Sequence, residues 1–166
     1  AKIPFSQNAL VGIAGEIISV VKAIMGKIIK CVITDLDNTL WGGIIGDDGL
    51  EGIQIGELGD GHAFTEIQRW LKELKNRGIL LAVCSKNNED TAKLPFEKHP
   101  EMELKLSDFA VFVANWDDKA ANICKIQQIL NIGMDSIVFL DDNPRERDVV
   151  RTLIPEVTVP ELPEDP

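Results

Sequence analysis

Cysteine, positive charge and long apolar runs are all scarce in this sequence, and each shortage removes a class of function. The three cysteines, Cys31, Cys84 and Cys124, form no Cys-x-x-Cys pair. An odd, dispersed set excludes a disulfide-stapled scaffold and a zinc ribbon, and it predicts a reduced, cytoplasmic setting. Lys and Arg number 17 against 27 Asp and Glu, a net charge of -10 with no basic cluster. That field repels polyphosphate backbones, so nucleic acid is not an expected partner; the same charge equally serves solubility alone. The longest apolar run near the N-terminus, Ile17 to Met25, is broken by Lys22 and falls far short of a membrane span, and no cleavable leader is expected. Internal repeats are lacking too. There are only two histidines. His62 stands in a Gly-rich loop and His99 before Pro100, positions that suit surface or turn roles as well as a base.

What remains is a chain of 166 residues, 45% apolar, enough for one well-filled core and short for two. A single domain is expected, with an N-terminal helix in 1–27, a core in 28–160 and a tail in 161–166. A first residue that is not Met and the Pro/Glu-rich ending VPELPEDP suggest a piece of a longer protein, such as a synthase or loading protein. Leu10, Ile13, Ile17, Val20, Val21 and Ile24 recur at helical spacing up to Gly26.

Ile28 to Thr34 is a nearly continuous β-branched run, the composition of a strand covered on both faces. WGGIIGDDGLEGI follows, and its Asp48-Gly49 pair predicts a small hairpin flap. An amphipathic helix is predicted over Ala63 to Arg77, a strand over Ile79 to Cys84, and a short helix over Asn88 to Lys98 that Pro95 weakens. A third strand, Phe109 to Val113, precedes a helix from Asp117 to Asn131. Ser136 to Leu140 forms a fourth strand, Pro144 opens a helix, and Val157 to Val159 suits a last short strand. Strands alternating with helices imply an α/β domain, a doubly wound parallel sheet with ligands gathered beyond the carboxyl ends of its strands.

The residues just past those strands are all polar: Asp35 and Asp37, then Ser85, then Asn115 with Lys119, then Asp141 and Asp142. Any one of them suits a cap or turn, but four strands delivering polar groups to one edge suits a site. Clustered carboxylates become tolerable when a cation shares them, and hard oxygen donors with room for phosphate suit Mg²⁺. Thr39, Ser85 and Lys119 would then bind phosphoryl oxygens. An aspartate lying between metal and phosphorus can act as nucleophile, and a second one two residues on, on the same face of an extended segment, can give a proton to the leaving oxygen and later take one from water.

DLDNT after a hydrophobic strand, Ser85 after the second, Lys119 and the Asp141-Asp142 pair resemble the four motifs of the haloacid dehalogenase (HAD) superfamily, in their order. The resemblance implies a Rossmann-like fold, Asp35 as nucleophile, Asp37 as general acid and base, and Mg²⁺ held by Asp35, the Asp37 carbonyl and Asp141, with Asp142 beside them. A finer resemblance spans nearly the whole chain: DLDNTLWGG, LLAVCSKNN, EKHPEM, ANWDDKAANI, VFLDDNPRER and VPELPEDP are similar to FkbH-like domains of polyketide pathways. Those domains imply a phosphorylated three-carbon substrate such as 1,3-bisphosphoglycerate, loss of phosphate, and transfer of a glyceryl group to an acyl carrier protein. The gaps between motifs are too short for a large cap domain, which leaves a site open to a phosphopantetheine arm.

Cys84, beside Ser85, is a candidate to carry the acyl group as a thioester, given an activating charge on a thiol whose ordinary pKa is about 8.5. It is also the kind of small residue that fills a strand core. Two alternatives share the motifs: a capless phosphatase of phosphoproteins or small phosphoesters, and a phospho-accepting receiver or docking module. Motif order disfavours the receiver, which would carry its acidic pair early and its acceptor aspartate on a later strand.

Overall fold

A computed structural model describes residues 28–162; the helix expected in 1–27 lies outside them. The elements are β1 (Cys31–Thr34), α1 (Ile45–Gly52), α2 (Gly61–Asn76), β2 (Leu80–Ser85), α3 (Glu89–Lys98), β3 (Phe109–Ala114), α4 (Lys119–Leu130), β4 (Ile137–Leu140) and α5 (Pro144–Leu153). All strand pairings are parallel and the sheet order is β3-β2-β1-β4. The chain leaves β1 toward β2 and later returns to β1's other side with β4. A topological switch point therefore falls between β1 and β4, where open α/β sheets hold ligands.

Alternation along the strands builds a core on each face of the sheet. Val32, Leu81, Val83 and Leu140 join Leu36, Leu40, Trp41, Leu71, Phe96 and Leu104 on one side, beneath α1, α2 and α3. Cys31, Ile33, Ala82, Cys84 and Phe139 face the other way, against Ile123 and Ile126 of α4 and Val150 of α5. This is the doubly wound arrangement expected from the pattern. No inserted cap domain occurs among the described residues: α1 and α2 fill the gap between β1 and β2, and α3 with a short 3₁₀ turn fills that between β2 and β3.

Two local expectations are corrected and a third is met. The flap after β1 is closed at its base by antiparallel hydrogen bonds between Gly42 and Gln54, but its body is the helix α1, kinked at Gly49 (φ 67°), and not a β-hairpin. The reason is Asp48, whose carboxylate accepts from the Ile44 N–H at 2.7 Å and so caps a helix where a turn was expected. The helix expected over 88–98 is present as α3 with Pro95 inside it: Asn88 caps its start, accepting from the Asp90 and Thr91 N–H groups, and the Pro95 ring is buried in the core. Residues 157–159 add only a single parallel bridge, Val138 to Thr158, at the outer edge of β4.

Candidate active site

β1 sits between β2 and β4, so its carboxyl end is the centre of the site edge. The Asp35 N–H extends the ladder to the Leu140 carbonyl (2.8 Å), which sets Asp35 directly beside the start of the Asp141-Asp142 pair. α4 begins at Lys119, with Asp118 accepting from the Ala120 and Ala121 N–H groups, and this cap aims the Lys119 ammonium back at the sheet edge. Its Nζ lies 2.6 Å from Asp35 Oδ2 and 2.5 Å from Asp141 Oδ2. All three groups are buried, Asp141 completely. Single carboxylate oxygens of Asp35, Asp141 and Asp142 lie within 4.8 Å of one another. Residues more than a hundred positions apart thus form one acidic cluster.

The electrostatics show an unbalanced group. Burial, and next the charge of Asp35, raise the Asp141 carboxyl to about 6 against the opposing pull of Lys119. Burial and the Asp35 charge likewise raise Asp142. Burial works to lower Lys119, but Asp35 and Asp141 outweigh it and hold the ammonium well above the ordinary lysine range. One lysine therefore faces three carboxylates. Asp35 Oδ1 is buried and finds no hydrogen-bond partner among the described residues, an expensive condition for a carboxylate oxygen. An orphaned oxygen, two further carboxylates within reach and an all-oxygen donor set fit a hard divalent cation.

Asp37 is held differently. Its Oδ1 accepts from Trp41 Nε1 (2.9 Å) and the Ile45 N–H (2.9 Å), and its Oδ2 accepts from Asn87 Nδ2 (3.0 Å). Burial raises its carboxyl above the usual range despite those bonds. Both oxygens are held by hydrogen bonds, and the carboxylate stands outside the three-residue cluster. The roles of Trp41 and Asn87 as its donors were not apparent in the sequence. In sequence, Trp41 suits a wall of the site as well as packing, and Asn87 a ligand-binding loop as well as a turn; Trp41 does pack edge-on against Phe96.

A cleft of about 520 Å³ opens over these groups, lined by Asp35, Asp37, Ser85, Lys119 and Asp142, with Trp116 at its rim. Trp116 is 75% exposed. Two expected site residues lie elsewhere. The Thr39 hydroxyl is paired with Asp142, donating to its Oδ1 at 3.5 Å and accepting from its N–H at 3.2 Å, and it lines a neighbouring cavity instead of the cleft. Thr39 here orients Asp142 rather than reaching into the phosphate space. Cys84 points away from the cleft into the core beneath α4, where its thiol faces the Lys119 carbonyl at 3.8 Å. It is fully buried, and burial pushes it up to about 12. Strand alternation explains this: Ser85 reaches the cleft, so its neighbour Cys84 must face the opposite side. His62 and His99 do not line the cleft, and Asn115 turns to Asn122 (2.7 Å).

A parallel sheet that brings Asp35, just past its first strand, and Asp141, just past its last, onto one lysine defines the class: the chain has the fold of HAD-family enzymes. No family model matches the sequence, and no curated protein does. Among solved structures, the N-terminal part of protein BF1531 from Bacteroides fragilis, containing a phosphatase domain and complexed with Mg, is 63% identical over 99% of this chain, with a TM-score of 0.92. The present chain spans 44% of that protein's chain. A HAD family enzyme from Bacteroides thetaiotaomicron, BT-2542, shares the fold at 12% identity and a TM-score of 0.58, covering 84% of this chain and 96% of its own. The wild-type form of that enzyme, complexed with magnesium and inorganic phosphate, aligns at 13% identity and a TM-score of 0.53, over 83% of this chain and 96% of its own. Among the described residues no helix is long and apolar enough to cross a membrane.

Proposed function

We propose that this chain is a Mg²⁺-dependent, phosphate-removing domain in which Asp35 attacks phosphorus. The observation that carries the reading is the cluster of Asp35, Asp141 and Asp142 around Lys119, with a buried Asp35 oxygen left unpartnered. Asp35, Asp141 and Asp142 are the residues that would hold Mg²⁺, and the ion would supply charge to offset that of the phosphoryl oxygens. A carboxylate oxygen of Asp35 forms a bond to phosphorus as the bond to the leaving oxygen breaks, and Asp37 gives that oxygen its proton. Water then attacks the same phosphorus, Asp37 takes a proton from it, and the Asp35 carboxylate is restored with release of phosphate. Lys119 and Ser85 would steady the phosphoryl oxygens.

The finer proposal concerns the whole protein. The motifs that resemble those of FkbH-like domains, and a cleft with no cap domain over it among the described residues, support a phosphorylated three-carbon substrate whose acyl group passes to an acyl carrier protein. With Cys84 buried, the carrier's own phosphopantetheine thiol would attack the C1 carbonyl of the acyl phosphate directly, forming the thioester as the carbon–oxygen bond to the C1 phosphate breaks and that phosphate leaves, while Asp35 removes the phosphate ester at C3.

Hydrolysis of p-nitrophenyl phosphate should require Mg²⁺ and fall by at least about a thousandfold in Asp35→Asn, the scale of losing a covalent nucleophile. Equal turnover by this variant would remove the reading. Intact-mass analysis after incubation with 1,3-bisphosphoglycerate and carrier separates the finer proposal. A glyceryl adduct on the carrier supports loading, and free phosphate with an unmodified carrier leaves a plain phosphatase.

A further inference from the structure

Arg147 lies one turn inside α5, buried and outside the cleft. Its Nη1 donates to the main-chain carbonyls of both Asp141 (2.8 Å) and Asp142 (2.7 Å). Its Nη2 donates to Glu161 Oε2 at 3.0 Å. Nε is buried and makes no hydrogen bond among the described residues. Stability alone explains this arrangement poorly. The start of a helix carries partial positive charge that disfavours a cation, and burying a guanidinium with one donor unsatisfied costs free energy. What the side chain does accomplish is geometric, for it grips the peptide units that carry two of the three clustered carboxylates.

Other restraints on that segment, besides the Lys119 ammonium on Asp141 Oδ2, come from other directions. Asp141 Oδ1 accepts from the Asn143 N–H (2.8 Å), and the Asp142 N–H donates to the Thr39 hydroxyl (3.2 Å). Arg147 is the only one of these groups to hold both residues at once. Glu161, from the segment after the last bridge, also pairs with Arg151 at 2.5 Å and so anchors the guanidinium from behind.

We propose that Arg147 is a positioning residue for the cation site: it holds the backbone of Asp141 and Asp142 so that their carboxylates meet Asp35 with the spacing a divalent ion needs. The inference rests on the cation reading of the cluster proposed above, and it assigns Arg147 no contact with substrate or with the reacting atoms. Groups that orient metal-ligating side chains commonly change metal affinity by about 10–100-fold when removed.

The test is Mn²⁺ binding by the full chain, followed by loss of the free-ion paramagnetic resonance signal, for the natural sequence, Arg147→Met and Arg147→Lys. Arg147→Met should bind Mn²⁺ about 10–100-fold more weakly while keeping the far-ultraviolet dichroism of the parent. Arg147→Lys, which keeps the charge but offers a single compact donor group, should recover only part of the loss. A folded Arg147→Met with parental affinity overturns the proposal. Should Arg147→Met fail to fold, Arg147→Lys decides: weakened binding supports the positioning role, and parental affinity refutes it. A parent chain that binds no Mn²⁺ would sink the cation reading, and this inference with it, a result distinct from parental binding that the variants leave unchanged.

Discussion

Asp37 shows how single contacts fix the geometry of a side chain. Its two oxygens take three hydrogen bonds, from Trp41, Asn87 and the Ile45 N–H, so its orientation does not depend on substrate. A hydrogen bond to a charged acceptor contributes about 1.5–3 kcal/mol. Asn87→Ala is therefore expected to lower kcat by roughly 10–100-fold, with KM for p-nitrophenyl phosphate little changed; a changed KM at constant kcat would mean that Asn87 binds substrate instead of fixing the acid. Burial pushes the Cys31 and Cys84 thiols to about 12, whereas Cys124 is half-buried. Iodoacetamide at pH 8 should give one adduct on the native protein, at Cys124, and three after denaturation, counted by mass. Rapid native labelling of Cys84 would restore it as a candidate acyl acceptor. Residue type alone could not decide between the two readings of Cys84, because the direction of its side chain depends on strand register.

At the level of elements, the loop after Asp37 is tied to the rest of the fold by Gln68 of α2. Its amide donates to the Leu40 carbonyl (2.7 Å) and accepts from the Glu103 (3.1 Å) and Leu104 (3.2 Å) N–H groups, in a fully buried position. Gln68→Leu would leave those backbone groups without that partner, at about 1–3 kcal/mol each. A thermal melt should fall by at least about 6 °C, given about 2–4 °C per kcal/mol for a chain of this size. A melt within a degree of the parent would show that those groups find other partners. The alternation of strands and helices was legible because β-branched runs and helical periodicity were well separated. Gln68 was not, since a polar residue on a helix is ordinarily solvated and only the tertiary fold brings it to Leu40. The flap misled for a related reason: Asp48-Gly49 carries turn chemistry, but the Asp48 carboxylate also caps a helix, and local sequence does not rank the two.

For the whole molecule, the decisive arrangement is the meeting of β1 and β4 at the switch point. It was legible in outline because parallel strands necessarily send their carboxyl ends to one edge. The restraints imposed by Thr39 and Arg147 on the acidic pair were not, because they depend on how α5 and the post-β1 loop pack. One lysine against three carboxylates leaves the cation-free domain with repulsion that a divalent ion relieves. Mg²⁺ at about a hundred times its dissociation constant should stabilise the fold by about 2.7 kcal/mol, raising the melt by roughly 5–10 °C, and Asp141→Asn should abolish most of that rise. A shift of equal size in Asp141→Asn would place the ion elsewhere. The most direct measurement is acid-quench mass spectrometry of the domain during turnover with Mg²⁺, mapped to peptides. The expected result is a phosphoryl adduct on the peptide carrying Asp35, absent without Mg²⁺ and in Asp35→Asn. Sustained phosphate release with that peptide unmodified at every quench time, and equal release by Asp35→Asn, would contradict it.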